Sequence, residues 1–167
     1  PEYDTYLTSE VNTIFKFQEV NEDSVLKTIK FLKPKSSTGV DDLSTKLLKK
    51  CQIALYKPLT VIINQSLRQG IFPSDLKIAK IKPIFKSKDE SMFDNYHPIS
   101  LLTAISKLFE KIVHLQLFRY MTNKKLLYPH QYGFREGHST EFALLEYVDR
   151  LYQDLENNLV PLAVYID

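Results

Sequence analysis

The chain has 167 residues, 44% hydrophobic and 25% charged, with a net charge of +2. That is enough to bury a core as one domain or most of one, and no apolar run reaches the roughly 18 residues a membrane span needs. The single cysteine, Cys51, excludes a disulfide framework and fits a reducing compartment, and the acidic, polar opening residues carry no signal-peptide pattern.

Asn21 ahead of Glu22 and Asp23 predicts a helix start, with the acids near the positive end of the dipole. Val25, Leu26, Ile29 and Leu32 follow at helical spacing, and Pro34 stops the helix. "KSSTGVDD" (35–42) reads as a loop. A second helical stretch is expected from about Ser44 to Gln69, broken near Pro58 and closed by Gly70. Within it Cys51 reads as a small core residue.

From Leu76 to Lys86 the period changes, with Ile78, Ala79, Ile81 and Ile84 set among Lys77, Lys80, Lys82 and Lys86. This predicts a strand, with Pro83 at an edge or bulge. "SKDESMFDN" (87–95) is a polar turn and "YHPISLL" (96–102) a second strand, completing a hairpin. Ile105, Leu108, Phe109, Ile112 and Gln116 recur at the spacing of an amphipathic helix over residues 104–120. A long loop follows over residues 121–138, with Tyr132 and Phe134 expected to be buried rather than to stack on nucleic-acid bases. Ser139 or Thr140 then caps a last helix with Leu144, Val148, Leu151 and Leu155 on one face. The segment "VPLAVYID" (160–167) predicts a buried strand. Asp167 at its end is either a cap or turn residue, or a group presented by a rigid sheet for catalysis.

Charge is unevenly laid out. Residues 1–25 hold six acids and one base, residues 26–125 nineteen bases and seven acids, and residues 140–167 six acids and one base. The basic centre reads either as a surface for a polyanion or as solvated lysine-rich helix faces. One cysteine and scattered histidines, among them His114 and His138, make no zinc-binding set.

Four segments, "LKPKSSTGVDDLSTKLLKK", "NQSLRQGIFPSDLKIAKIKPIFKSKD", "NYHPISLLTAISKLFEKI" and "QYGFREGHSTEFALLEYVD", followed by the closing "VYID", occur in the order and spacing of a non-LTR (LINE-type, jockey-like) retrotransposon reverse transcriptase. The resemblance covers about residues 15–167. It implies an α+β fold, α-rich with a small antiparallel sheet, made of the fingers and the edge of the palm of a right-hand polymerase. Residues 1–20 would be a linker from an upstream region, 21–75 a helical N-terminal extension, 76–137 the fingers and 138–167 the opening of the palm, cut inside its first motif. The implied activity is extension of a DNA primer on an RNA template with deoxynucleoside triphosphates. The implied setting is nucleus or cytoplasm, without a membrane. The other reading is a retrotransposon-derived remnant that binds RNA without catalysis.

The resemblance also assigns residues. Asp167 matches the first metal-binding aspartate. Two Mg²⁺ ions, hard cations held by carboxylates, stabilise the attacking and leaving oxygens in such a reaction. No second carboxylate stands at a comparable strand end, so the fragment alone is expected to be inactive. Lys86 matches a triphosphate-binding lysine. His97 stands where the family has an arginine. Arginine offers a planar two-pronged fork to phosphate, whereas a neutral imidazole offers one donor. The alternative for His97 is an extended residue ahead of Pro98. Arg135 matches a basic residue before the palm that touches template or nucleotide, with an ordinary surface arginine as the alternative. Lys33, Lys35 and Gly39 match a loop near the template backbone, Gly39 permitting close approach, or else a helix–helix turn. Lys80 and Lys82 extend the same basic surface.

Overall fold

The computed structural model describes residues 14–166. The chain divides into two compact units, residues 1–120 and 121–167. Asp167 lies outside the described residues, and with it the expected end of the last strand.

Unit one begins with helix α1 (Glu22–Phe31). Asn21 caps it as expected, its side chain accepting from the Ser24 N–H at 2.8 Å. The other end is closed by a cation. Lys49 Nζ donates to the carbonyls of Lys30 at 2.7 Å and Leu32 at 2.9 Å, two of the acceptors that a helix terminus leaves unpaired. Helix α2 (Thr45–Lys50) is capped by Ser44, and α3 (Gln52–Gln69) ends at Gly70, whose φ of 67° is the left-handed cap glycine favours.

The expected break at Pro58 is displaced. The chain turns at Cys51, and Pro58 lies inside α3. Proline removes one N–H and crowds the preceding turn. The packing of α3 against α1 and α2 through Leu59 and Ile63 holds the helix together across that defect. Cys51, expected in the core, is exposed because the α2–α3 turn carries it outward.

A 3₁₀ turn, Ser74–Lys77, takes the first residues expected to be extended, so strand β1 spans only Lys80–Phe85. It pairs antiparallel with β2 (Tyr96–Leu101) in an unbroken register, Ile84 opposite His97 and Pro83 opposite Pro98. The Lys86 N–H donates to the Asn95 carbonyl at 2.8 Å. Alternation along the ladder therefore puts the two prolines in a pair whose N–H groups point away from the partner strand. Neither missing donor breaks a rung.

Helix α4 (Ala104–Asn123) supplies Ala104, Leu108, Phe109 and Ile112 to the core, which they share with Val25, Ile29, Leu48, Leu59 and Ile63. Phe72 meets Phe109 edge-on.

In unit two, helix α5 (Thr140–Glu156) is capped by Ser139, which accepts from the Phe142 N–H. Its expected inner face is open: Leu144 and Leu155 are exposed, and no residue of the helix is buried. Residues 160–166 form no strand among the described residues, and Val160, Leu162, Val164 and Ile166 are exposed. The apolar, β-favouring pattern states only a local preference; a strand also needs a neighbour to pair with. Among the described residues Tyr165 ties this segment to α5, its Oη donating to Tyr147 Oη at 3.0 Å. Phe134, expected inside, is fully exposed at a left-handed φ of 61°, and Tyr132 is half-buried.

Candidate nucleic-acid interface

The β1–β2 hairpin sorts its side chains by register. Residues directly opposite in an antiparallel ladder share a face, and alternate residues of one strand do too. One face thus carries Lys80, Lys82 and Ile84 opposite Leu101, Ile99 and His97. The extra rung at Lys86–Asn95 carries the ladder one residue further, which places Lys86 on the same face. The other face carries Ile81, Pro83 and Phe85 opposite Ser100, Pro98 and Tyr96, with the Phe85 and Tyr96 rings 5.5 Å apart. The hairpin is a basic face backed by an apolar, partly aromatic one. Lys80, Lys82, Lys86 and His97 are all exposed, and none is engaged in an ion pair among the described residues.

The connecting loop is built rather than slack. Asp89 accepts from the Ser91 N–H at 2.9 Å and the Ser91 hydroxyl at 2.8 Å, bonds that hold its carboxyl below the usual carboxylate value. Asn95 Nδ2 donates to the Asp89 carbonyl at 2.7 Å and Tyr96 Oη to the Glu90 carbonyl at 2.9 Å. The loop thereby fixes where β2 starts and which way His97 faces.

Lys33 and Lys35 sit on the connection between α1 and α2. The buried Thr45 hydroxyl organises it, accepting from the Lys35 N–H at 2.8 Å and lying 2.9 Å from the Lys33 carbonyl. Both lysine side chains are exposed. Gly39 does permit a close approach, but of the protein's own backbone. It is buried, and a Cβ there would meet Thr103 N at 2.7 Å and the Leu102 carbonyl carbon at 2.9 Å. Its place is in the packing under the start of α4, which positions the loop without offering a surface of its own.

Arg135, in unit two, spends one guanidinium nitrogen on its own loop: Nη1 donates to the carbonyls of Tyr128 at 3.0 Å, Gln131 at 3.2 Å and Pro129 at 3.4 Å. The same unit contains a polar cluster that the sequence pattern does not announce. Glu146 receives Tyr132 Oη, His130 Nδ1 and Arg150 Nη2, the last at 3.0 Å. The Tyr132 hydrogen bond, reinforced by His130 and Arg150, holds the Glu146 carboxyl below its usual value, and the same bond pushes the Tyr132 phenol up. The i, i+4 spacing of Glu146 and Arg150 is a readable signal. The loop partners are not, because only the fold of residues 128–138 brings them over α5. Tyr132 and Glu146 also line an open pocket of about 550 Å³ with His138, Phe142, Leu145 and Asp149.

Among the described residues no group of three or more His, Cys, Asp or Glu side chains could hold a metal ion, and no helix is long and apolar enough to cross a membrane.

No family model matches the chain. Individual proteins do. It is 34% identical over 149 residues to a "Probable RNA-directed DNA polymerase from transposon BS" of Drosophila melanogaster, covering 89% of this chain and 16% of that protein. It is 32% identical over 117 residues to the corresponding protein from transposon X-element of the same fly, 70% of this chain and 13% of that one. It is 28% identical over 163 residues to the "RNA-directed DNA polymerase from mobile element jockey", 97% of this chain and 18% of that one. The chain thus spans about a sixth of the length of the curated relatives it matches.

Proposed function

This chain belongs, over most of its length, to the family of RNA-directed DNA polymerases of non-LTR transposons, and we propose that it contributes the phosphate-holding hairpin and its helical support to such an enzyme. In this reading residues 76–137 are the fingers, residues 21–75 the helical extension behind them, and residues 138–167 the opening of the palm. The ligands are an RNA template, a DNA primer and deoxynucleoside triphosphates. The observation that carries the proposal is the register of the hairpin, which gathers Lys80, Lys82, Lys86 and His97 on one exposed face. Phosphate oxygens need donors that come free of competing carboxylates, and these four are free of ion pairs among the described residues. Lys33 and Lys35 add two exposed cations on a loop held by Thr45.

Mg²⁺ would supply the charge that stabilises the attacking and leaving oxygens. The described residues do not fit such a centre, since they contain no cluster of carboxylates able to hold it. Asp167 is one candidate ligand. The described part of the chain binds and orients phosphates.

The test is binding of the 167-residue chain to an RNA–DNA hybrid as salt is raised. Neutralised phosphates release counterions, so log affinity falls against log salt with a slope of about −0.9 per neutralised phosphate on a duplex. Replacing Lys80, Lys82 and Lys86 by Ala should weaken binding and flatten the slope by about 0.9 for each phosphate left without its lysine. Unchanged affinity and slope in a variant with intact helicity would remove the hairpin from the interface.

A further inference from the structure

Residues 14–20 have no regular secondary structure, yet residues 15–20 are fastened to two helices along their length. Gln18 donates its N–H to Gln116 Oε1 at 2.8 Å, and its carbonyl accepts from Gln116 Nε2 at 2.8 Å. Val20 is held in the same way by Asn64, N–H to Oδ1 and carbonyl to Nδ2, both at 2.8 Å. Between them Glu19 pairs with Arg68 at 3.3 Å, and ahead of them the Phe15 ring lies 5.1 Å from that of Tyr120.

The chemistry is that of strand pairing performed by side chains. In an extended chain the N–H and C=O of one residue leave on the same edge, and residues two apart share that edge. A carboxamide presents one donor and one acceptor side by side, which matches the rung an opposing strand would offer. Two carboxamides thus satisfy one edge of the segment at positions 18 and 20. Their helices offer the partners at i, i+4 spacing, Asn64 with Arg68 on α3 and Gln116 with Tyr120 on α4, so each pair lies on one side of its helix.

We infer that this α3–α4 surface is a recognition site for an extended peptide and that residues 15–20 are its ligand in cis, a separable strap. Recognition lies in the backbone edge, with an aromatic anchor at position 15 and an acid at position 19. This inference is independent of the polymerase reading.

Amide hydrogen exchange on the full chain tests it first. The Gln18 and Val20 N–H groups should be protected. Asn64→Ala should speed exchange at Val20 by about tenfold or more, and Gln116→Ala should do the same at Gln18, while the core amides of α1 and α3 stay protected. Unprotected amides in the wild type overturn the inference.

The second arm asks whether the strap is separable. A full chain carrying Gln18→Pro and Val20→Pro lacks both donors, so its own strap is released. A labelled peptide of residues 14–21 should bind this variant at least about tenfold more tightly than the wild type, where the tethered segment competes at roughly millimolar effective concentration. Adding Asn64→Ala and Gln116→Ala should abolish that binding. A folded released variant that ignores the peptide, or that binds it regardless of the two carboxamides, overturns the inference. If the double-proline variant does not fold, the exchange arm decides by itself.

Discussion

An added methyl group at Gly39 would stand 2.7 Å from Thr103 N and 2.9 Å from both Thr103 Cα and the Leu102 carbonyl carbon. These are backbone atoms, so no rotamer change relieves the clash. Gly→Ala in an allowed conformation gains about 0.4–1 kcal/mol by restricting the unfolded chain, whereas overpacking costs about 1–3 kcal/mol. The second effect wins: Gly39→Ala should lower the urea midpoint by about 0.5–1 M, given slopes of about 1–3 kcal/mol per molar urea. A midpoint equal to or above the wild type would show that the β2–α4 junction yields. His97 poses the opposite question, one of missing chemistry. It is exposed on the lysine-bearing face, opposite Ile84, where an arginine would add a second prong and a permanent charge. A charge-assisted hydrogen bond is worth about 1.5–3 kcal/mol, so His97→Arg should tighten binding of a deoxynucleoside triphosphate by about tenfold or more. Equal affinity in a direct titration would leave position 97 outside the proposed phosphate site.

At the scale of elements, the helix starts are legible because a cap is local: Asn21, Ser44 and Ser139 each bond an N–H three residues on. The hairpin is legible from its change of period, and its register explains how two prolines fit the ladder. What is not legible depends on distant partners. Residues 160–166 have the composition of a strand and no pairing among the described residues, and Pro58 reads as a break because α3's packing is invisible in sequence. The Glu146 cluster belongs with these, since residues 130 and 132 reach α5 only through the folded loop. It gives a prediction with a sign. The folded form holds the Glu146 carboxyl below its ordinary value of 4.5, through Tyr132 first and then His130 and Arg150. A carboxyl depressed in this way adds stability that is complete above its unfolded value and disappears as pH falls through the folded one. Protection of the 128–135 loop against hydrogen exchange, corrected for intrinsic rates, should therefore fall on acidification below the ordinary carboxylate range. Glu146→Gln, which cannot ionise, should remove that step. A loop whose protection is flat with pH in the wild type would show that the cluster does not hold it.

Across the whole molecule, burial is divided as unevenly as charge. Every buried apolar residue of the described chain lies in unit one, in the cluster of Val25, Ile29, Leu48, Leu59, Ile63, Ala104, Leu108, Phe109 and Ile112. Unit two has helix α5, its cap and the Glu146 cluster, but no buried side chain among the described residues; Phe142, Leu144, Leu145, Tyr152 and Leu155 are exposed on its helix. Burying one large apolar side chain stabilises by about 1.5–3 kcal/mol, while a net hydrogen bond contributes about 0.5–1.5 kcal/mol and ordering each residue's backbone costs about 1–2 kcal/mol. Unit one sets a buried apolar core against that entropy, whereas unit two has no buried apolar side chain among the described residues. Local opening free energies in one protein run from near zero to the global value, and the two units should sit at opposite ends of that range. In the 167-residue chain, the amides of α1, α3 and the first half of α4 should exchange only with global unfolding. Those of α5 should exchange by local opening, orders of magnitude faster, and urea should leave their rates nearly unchanged until the unit-one transition begins. Hydrogen exchange resolved by residue at increasing urea checks this directly. If α5 amides instead converge with those of α3 on one opening free energy, the chain unfolds as a single cooperative body and burial is no guide to its stability.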